Sequence, residues 1–260
     1  MSPAYAEWAP QLVTSGFVQC VWRHANVATD GTSRVVPDGC MDVITDGTEV
    51  WVAGPDTGPQ LAPLSPGHAL VGVRFPPGVA PAVLGVPASA LRDQRVPLPA
   101  IGEIGLPELA ERLVSHPVEK RTTAIETAVV GQLRRVQAEP DPVAQAVVHR
   151  FVTDGSAPTR ALADTIGISE RQLHRRCVAA FGYGPSTLRR ILRFQALLAA
   201  GRSHPEWDLG RLSFAVGYSD QAHMSHEVRR LSGLTPTVLR AEWMSDPYKT
   251  PERQDGMLVA

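Results

Sequence analysis

The sequence predicts an α+β chain: an N-terminal β-rich domain of sandwich or barrel type, a helical connector, and a C-terminal all-α domain with two helix-turn-helix units. Three observations predict it. The first 75 residues break into short β-favouring runs divided by turn dipeptides, the stretch from Leu162 to Arg240 repeats itself, and the two halves carry opposite charge.

The β-favouring runs are Phe17 to Trp22, Arg34 to Val36, Met41 to Thr45, Glu49 to Ala53 and Ala69 to Phe75. Turn chemistry separates them at Asp30-Gly31, Pro37-Asp38-Gly39, Asp46-Gly47, Gly54-Pro55, Gly58-Pro59 and Pro66-Gly67. Short strands with many turns fit a sandwich or barrel. Ala88 to Asp93 reads as one or two helical turns, and a proline-punctuated loop then leads to a helical stretch from Pro107 to about Gln137. Glu139-Pro140-Asp141-Pro142 interrupts that stretch as a hinge. The expected divisions are 1–100 for the β-rich regulatory domain, 101–141 for the connector and possible dimer face, 142–245 for the double helix-turn-helix domain, and 246–260 for a tail.

In the repeat, Leu162-Ala163-Asp164-Thr165-Ile166-Gly167-Ile168-Ser169 returns as Leu212-Ser213-Phe214-Ala215-Val216-Gly217-Tyr218-Ser219. Beyond one inserted residue, Leu173 aligns with Met224, Cys177 with Val228, Gly182 with Gly233, Pro185 with Pro236 and Arg189 with Arg240. Each copy begins with a short helix (Thr159 to Thr165, and Leu209 to Val216) closed by a glycine that can take positive φ. A helix capped by Ser169, or by Ser219 or Asp220, follows. Leu173 and Cys177, like Met224 and Val228, lie i, i+4 and turn one face inward. The opposite face carries Arg171, His174 and Arg175 in the first copy and Gln221, Ala222, Ser225 and His226 in the second, groups able to meet base edges in a major groove. Two amphipathic hairpins with merely solvated faces have no reason to keep Gly, Ser, Gly and Pro in register. A helix from about Ser186 to Ala200 joins the copies.

Charge separates the same halves. Residues 150–245 hold 13 arginines and no lysine against 8 acids, a balance of +5, whereas residues 1–149 hold 10 basic against 15 acidic residues, a balance of −5. The basic half suits phosphates and the acidic half another task. No run approaches the roughly 18 apolar residues of a membrane span, no secretory pattern opens the chain, and three dispersed cysteines make no disulfide framework. A cytoplasmic protein without membrane partner is expected.

The run Gly217-Tyr218-Ser219-Asp220-Gln221-Ala222-His223-Met224-Ser225-His226-Glu227-Val228, with Gly233-Leu234-Thr235-Pro236, resembles the signature of AraC/XylS-type transcriptional regulators, over about Pro142 to Met244. The sequence departs from that pattern at Cys177, Val228 and Leu239, where aromatics are usual, and at His226, often Arg. The resemblance implies two units entering successive major-groove segments, a double-stranded DNA operator, RNA polymerase as a second partner, transcription regulation as the output, as an activator with repression left open, and possibilities of a small-molecule effector and a homodimer. Arg34-Val35-Val36-Pro37-Asp38-Gly39-Cys40-Met41-Asp42-Val43-Ile44, Val52-Ala53-Gly54-Pro55 and Gly72-Val73-Arg74-Phe75-Pro76-Pro77-Gly78 resemble the N-terminal domain of one actinobacterial-type branch of these regulators. That branch leaves the effector open.

Candidate ligand residues in the N-terminal half are Trp22, Asp38, Cys40, Asp42, Trp51 and Arg74. Asp38, Cys40 and Asp42 alternate and would share one face of a strand, and Arg74 could anchor an anionic effector. Cys40 as a reactive thiol or soft-metal ligand, with DNA binding as its readout, is the rival reading; a small buried hydrophobe is the simpler one. No phosphate loop, serine elbow or metal-ligand spacing is present, so neither catalysis nor a cofactor is expected.

Overall fold

The computed structural model describes residues 5–12, 16–25, 30–101, 106–114, 116–155 and 158–245. The expected tail, 246–260, lies outside them. The N-terminal part is built on an antiparallel sheet of β1 (Tyr5–Trp8), β2 (Cys20–His24), β4 (Met41–Thr45), β5 (Val50–Ala53), β7 (Leu70–Phe75) and β8 (Arg95–Pro97), in the order β1-β2-β7-β4-β5-β8. A separate ribbon pairs β3 (Gly31–Val35) with β6 (Gln60–Leu64). All these pairings are antiparallel, but only β4 and β5 are joined by a tight turn; β2 with β7, β4 with β7 and β5 with β8 pair across long connections.

Alternation gives the sheet two unlike faces. Val21, Val43, Val52, Val71, Val73 and Phe75 point to one side, where α1 (Ala80–Leu84), α2 (Leu106–Val114) and α3 (Val118–Val136) cover them. Ile125 and Val129 of α3 and Leu113 of α2 are buried in that same core, so the connector packs on the sheet. Polar contacts fasten it: Glu126, 3% exposed, accepts from the Leu12 amide, and Arg121 donates to the Asp46 carbonyl at 2.7 Å.

Sequence reading places the first run at Phe17 to Trp22, but the strand is Cys20–His24. It joins 107–137 into one stretch, where α2 and α3 are separate helices. It omits β1, β6, β8 and α1 altogether.

The C-terminal part contains α4 (Pro142–Thr153), α5 (Thr159–Ile166), α6 (Glu170–Phe181), α7 (Pro185–Ser203), α8 (Leu209–Ala215), α9 (Gln221–Ser232) and α10 (Pro236–Ser245). Asp141 caps α4 by accepting from the Val143 amide at 2.9 Å, and it also receives Arg176 of α6 at 2.7 Å. One core runs through both repeats: Leu173 and Cys177 of α6, Leu188, Ile191, Phe194 and Leu197 of α7, Met224 and Val228 of α9. Long α7 is therefore shared wall, not a free tether.

The two parts touch. Val36 enters the helical core, Gln195 of α7 donates to the Pro37 carbonyl at 2.7 Å, and Arg34 lies 3.7 Å from Glu242. Arg92 donates to the Gly182 carbonyl at 3.2 Å and Arg34 to the Ser232 carbonyl at 3.0 Å, so each recognition helix has a cation from the N-terminal part at its negative dipole end.

Candidate nucleic-acid interface

Each unit is assembled by local chemistry. α5 ends at Gly167, whose φ of 77° is a left-handed conformation that glycine adopts without a Cβ penalty. Ser169 then accepts from the Gln172 amide at 3.2 Å while Gln172 accepts from the Ser169 amide at 2.9 Å, a reciprocal capping box. In the second unit Gly217 takes φ 79°. Of the two candidate caps, Asp220 fills the role, accepting from the His223 amide at 2.7 Å. The bond from the His223 amide is the main reason its carboxyl sits below the usual range. The Ser219 hydroxyl turns instead to Asp220 and His223 Nδ1.

These caps set the phase of the recognition helices. α6 buries Leu173 and Cys177 and exposes Arg171, His174 and Arg175; α9 buries Met224 and Val228 and exposes Gln221, Ala222 and His226, with Ser225 half-exposed. Two of the seven candidates are partly engaged. The His174 ring lies against Gly184, where a Cβ would come within 2.7 Å of Nε2, and Ser225 Oγ donates to the Gln221 carbonyl at 2.7 Å, leaving it lone pairs to offer.

The second unit is held to the linker by partners that no sequence motif marks. Arg193 of α7 pairs with Glu227 of α9 at 2.8 Å, stacks over the Tyr218 ring at 4.4 Å from its centroid, and donates to the Gly217 carbonyl. The Arg193 and Glu227 side chains are 12% and 7% exposed. Arg240 closes the other side, donating to the Trp207 and Pro205 carbonyls. No local pattern joins residues so far apart in the chain.

The N-terminal candidates meet on the sheet face away from the helices. Register aligns Cys20, Arg74, Asp42 and Ala53 in one row and Glu7, Trp22, Gly72, Ile44 and Trp51 in the next. Gly72 is required there, since a Cβ would stand 2.3 Å from the Trp22 ring. Two expectations are corrected. Asp38 and Cys40 do not alternate along the strand with Asp42: β4 starts at Met41, Gly39 takes φ 83°, and the Cys40 amide donates to Asp38 Oδ1 at 2.8 Å in an Asx turn. Asp38 still reaches the cluster, 3.7 Å from Arg74. Arg74 is no open anchor for an anion, because Asp42 at 3.1 Å and Glu7 at 3.3 Å already engage it. Burial raises the Asp42 carboxyl against the pull of Arg74.

The reactive-thiol reading also finds no support. All three cysteines are buried and free. Burial, reinforced by Asp38, drives the Cys40 thiol well above its ordinary value, and burial takes Cys177 to about 12. A thiolate is the reactive form, and here it is suppressed. Iodoacetamide at pH 8 should leave Cys40 unlabelled in the folded protein and label it after denaturation, as read by peptide mass spectrometry; rapid labelling of the folded chain would restore the rival. Among the described residues no group of three or more His, Cys, Asp or Glu could hold a metal ion, and no helix is long and apolar enough to cross a membrane.

Two segments of the chain match known families. Residues 162–242 match the family described as "Helix-turn-helix domain", and residues 6–97 match "Domain of unknown function (DUF6597)". No curated protein matches the chain. Among solved structures, ToxT from Vibrio cholerae O395 aligns at 8% identity over 85% of this chain and 95% of that one, with a TM-score of 0.46. The same protein bound to (E)-4-(8-methylnaphthalen-1-yl)but-3-enoic acid aligns at 10% identity over 86% and 97%, with a TM-score of 0.47. ToxT of strain SCE256 with an unsaturated fatty acid bound gives 11%, 85%, 93% and 0.43. Likeness at this level carries nothing over to the sites of this chain.

Proposed function

We propose that this chain, whose residues 162–242 match a helix-turn-helix family, is an AraC-type transcription regulator that binds one operator through two unlike boxes, and that its N-terminal domain makes this binding responsive to an effector. Arg171, His174 and Arg175 read the first box, and Gln221, Ala222, Ser225 and His226 read the second. The observation carrying this reading is the outward phase of α6 and α9 while a single core fixes their spacing. Arginine can grip guanine with two hydrogen bonds, whereas Gln and Ser offer shorter, neutral contacts that tune preference. The protein works in the cytoplasm, with RNA polymerase as the partner through which it regulates transcription, by activation or repression; a homodimer on paired operators is compatible with the same reader.

Responsiveness rests on the segment 36–40. Its Pro37 carbonyl holds Gln195 of α7, and its Asp38 and Cys40 border the Arg74 cluster. A ligand that disturbs the cluster thus has a short covalent route to the helix joining the two readers.

Selection from a random DNA library with purified protein tests the reading directly. It should yield a site of two different boxes about one helical turn apart, and no enriched sequence would refute it. On that site Arg171→Ala or Arg175→Ala should each cost about 1–3 kcal/mol while random DNA binding changes little. Equal losses on both DNAs would make the arginine a phosphate contact. Gln221→Ala should shift base preference more than affinity; an unchanged preference counts against its role.

A further inference from the structure

A cleft of about 300 Å³ opens between the two parts of the molecule, beside the C-terminal ends of α6 and α9. Arg92 and Asp93 stand on its N-terminal-domain wall; Tyr183, Arg190, Glu227 and Arg230 stand on the other. Its acids are already used. Glu227 holds Arg193 at 2.8 Å, and Asp93 accepts from the Thr57 amide at 2.7 Å and from its hydroxyl. Arg92 is engaged as well, by the Gly182 carbonyl and Asp93, but the other two cations, Arg190 and Arg230, are not ion-paired. Arg190 donates to the Thr187 hydroxyl at 3.1 Å, and among the described residues no carboxylate lies within ion-pair distance of Arg190 or Arg230. Tyr183 is 4% exposed, and its buried hydroxyl has no hydrogen-bond partner among the described residues. Burial first, and the charge of Arg230 next, hold Arg190 below the ordinary arginine value, with Glu227 offsetting them in part.

We propose that this cleft is the binding site of a small anion bearing phosphate or carboxylate groups, held by Arg190 and Arg230 with the Tyr183 hydroxyl as a neutral donor. Planar guanidinium groups suit both anion types through paired hydrogen bonds. The volume is at the lower end for small-molecule pockets, far too small for a duplex to enter. An anion seated there lies between the sensing domain and the last turns of both recognition helices, where Arg92 and Arg34 already reach the helix ends. As an effector site it rests on the regulatory reading above; as an anion site it stands apart from it.

The test is calorimetric titration of the full chain, without DNA and in buffer free of phosphate and carboxylate, with inorganic pyrophosphate in one arm and citrate in the other. One saturable site is expected in at least one arm, and the stronger arm identifies the anion chemistry. Arg190→Gln and Arg230→Gln should each weaken it about tenfold or more, with unchanged circular dichroism, while Arg135→Gln on the exposed end of α3 leaves it intact. Saturation in neither arm, or equal weakening by Arg135→Gln, overturns the proposal. So does a result in which the two cleft variants keep anion binding but lose DNA affinity, for then these arginines serve DNA phosphates. Failure of the regulatory reading would leave this titration unaffected.

Discussion

Inserting five base pairs between the two boxes of the selected operator is expected to weaken binding at least a hundredfold. Half a helical turn carries the second box to the opposite face of B-DNA, where α9 cannot follow while α6 stays in its groove. The loss is that of one unit's base contacts; with three or four readers at about 1–3 kcal/mol per good base contact, a hundredfold is the conservative end. Rigidity is what makes the prediction sharp. α7 is a 19-residue helix, about 28 Å long at 1.5 Å per residue, and its Leu188, Ile191, Phe194 and Leu197 are buried in the core that also holds Leu173 and Met224. An insertion of ten base pairs restores the face but adds roughly 34 Å, so it should not rescue binding either. Electrophoretic mobility shifts on the three operators decide the matter: affinity that survives five pairs means one unit reads alone, and affinity that returns at ten means the joint between the units is flexible.

Arg193→Ala should be the most damaging single substitution in the DNA-binding domain, at about 3–5 kcal/mol of stability. It strands the nearly buried Glu227 carboxylate, removes the cation from the Tyr218 face and frees the Gly217 carbonyl in one step. His223, 3.6 Å from Glu227, offers only a partial substitute. The cost belongs to the broken pair more than to the pair itself, so Arg193→Met combined with Glu227→Leu should recover most of it. Guanidinium unfolding followed by far-ultraviolet circular dichroism provides the comparison, with Arg160→Ala on exposed α5 as a surface reference. A loss below about 1 kcal/mol for Arg193→Ala would mean that the second unit is held by apolar packing alone.

The second unit also shows where local reading stops. Gly167, Gly182, Gly217 and Gly233 all take positive φ, as their places in the repeat require, and Ser169 with Gln172 forms the capping box that its spacing allows. These were legible because cap, turn and helix phase are settled within a few residues. Between Ser219 and Asp220 the sequence could not choose; the residue inserted in the second turn moves the carboxylate into the capping position, which only the folded turn decides. The N-terminal half was less transparent. β1 and β8 are the edges of their sheet, and β6 and β8 carry Pro63 and Pro97, so pairing with a neighbour, not propensity, makes them strands. α1 spans five residues between Val79 and Gly85 and is too short for a periodic signal.

What the sequence by itself determined, then, is the double helix-turn-helix, its outward faces and the split of charge, each a property of neighbours along the chain. Only the tertiary structure decided that Arg74 is bound by Glu7, Asp38 and Asp42 instead of standing open, that Arg193 locks Glu227, and that Arg34 and Arg92 touch the ends of the recognition helices. Those partners lie up to 198 residues apart. A side chain's partner at such a distance is chosen by which faces the core brings together and how much water it excludes, and no periodicity in a single sequence records that.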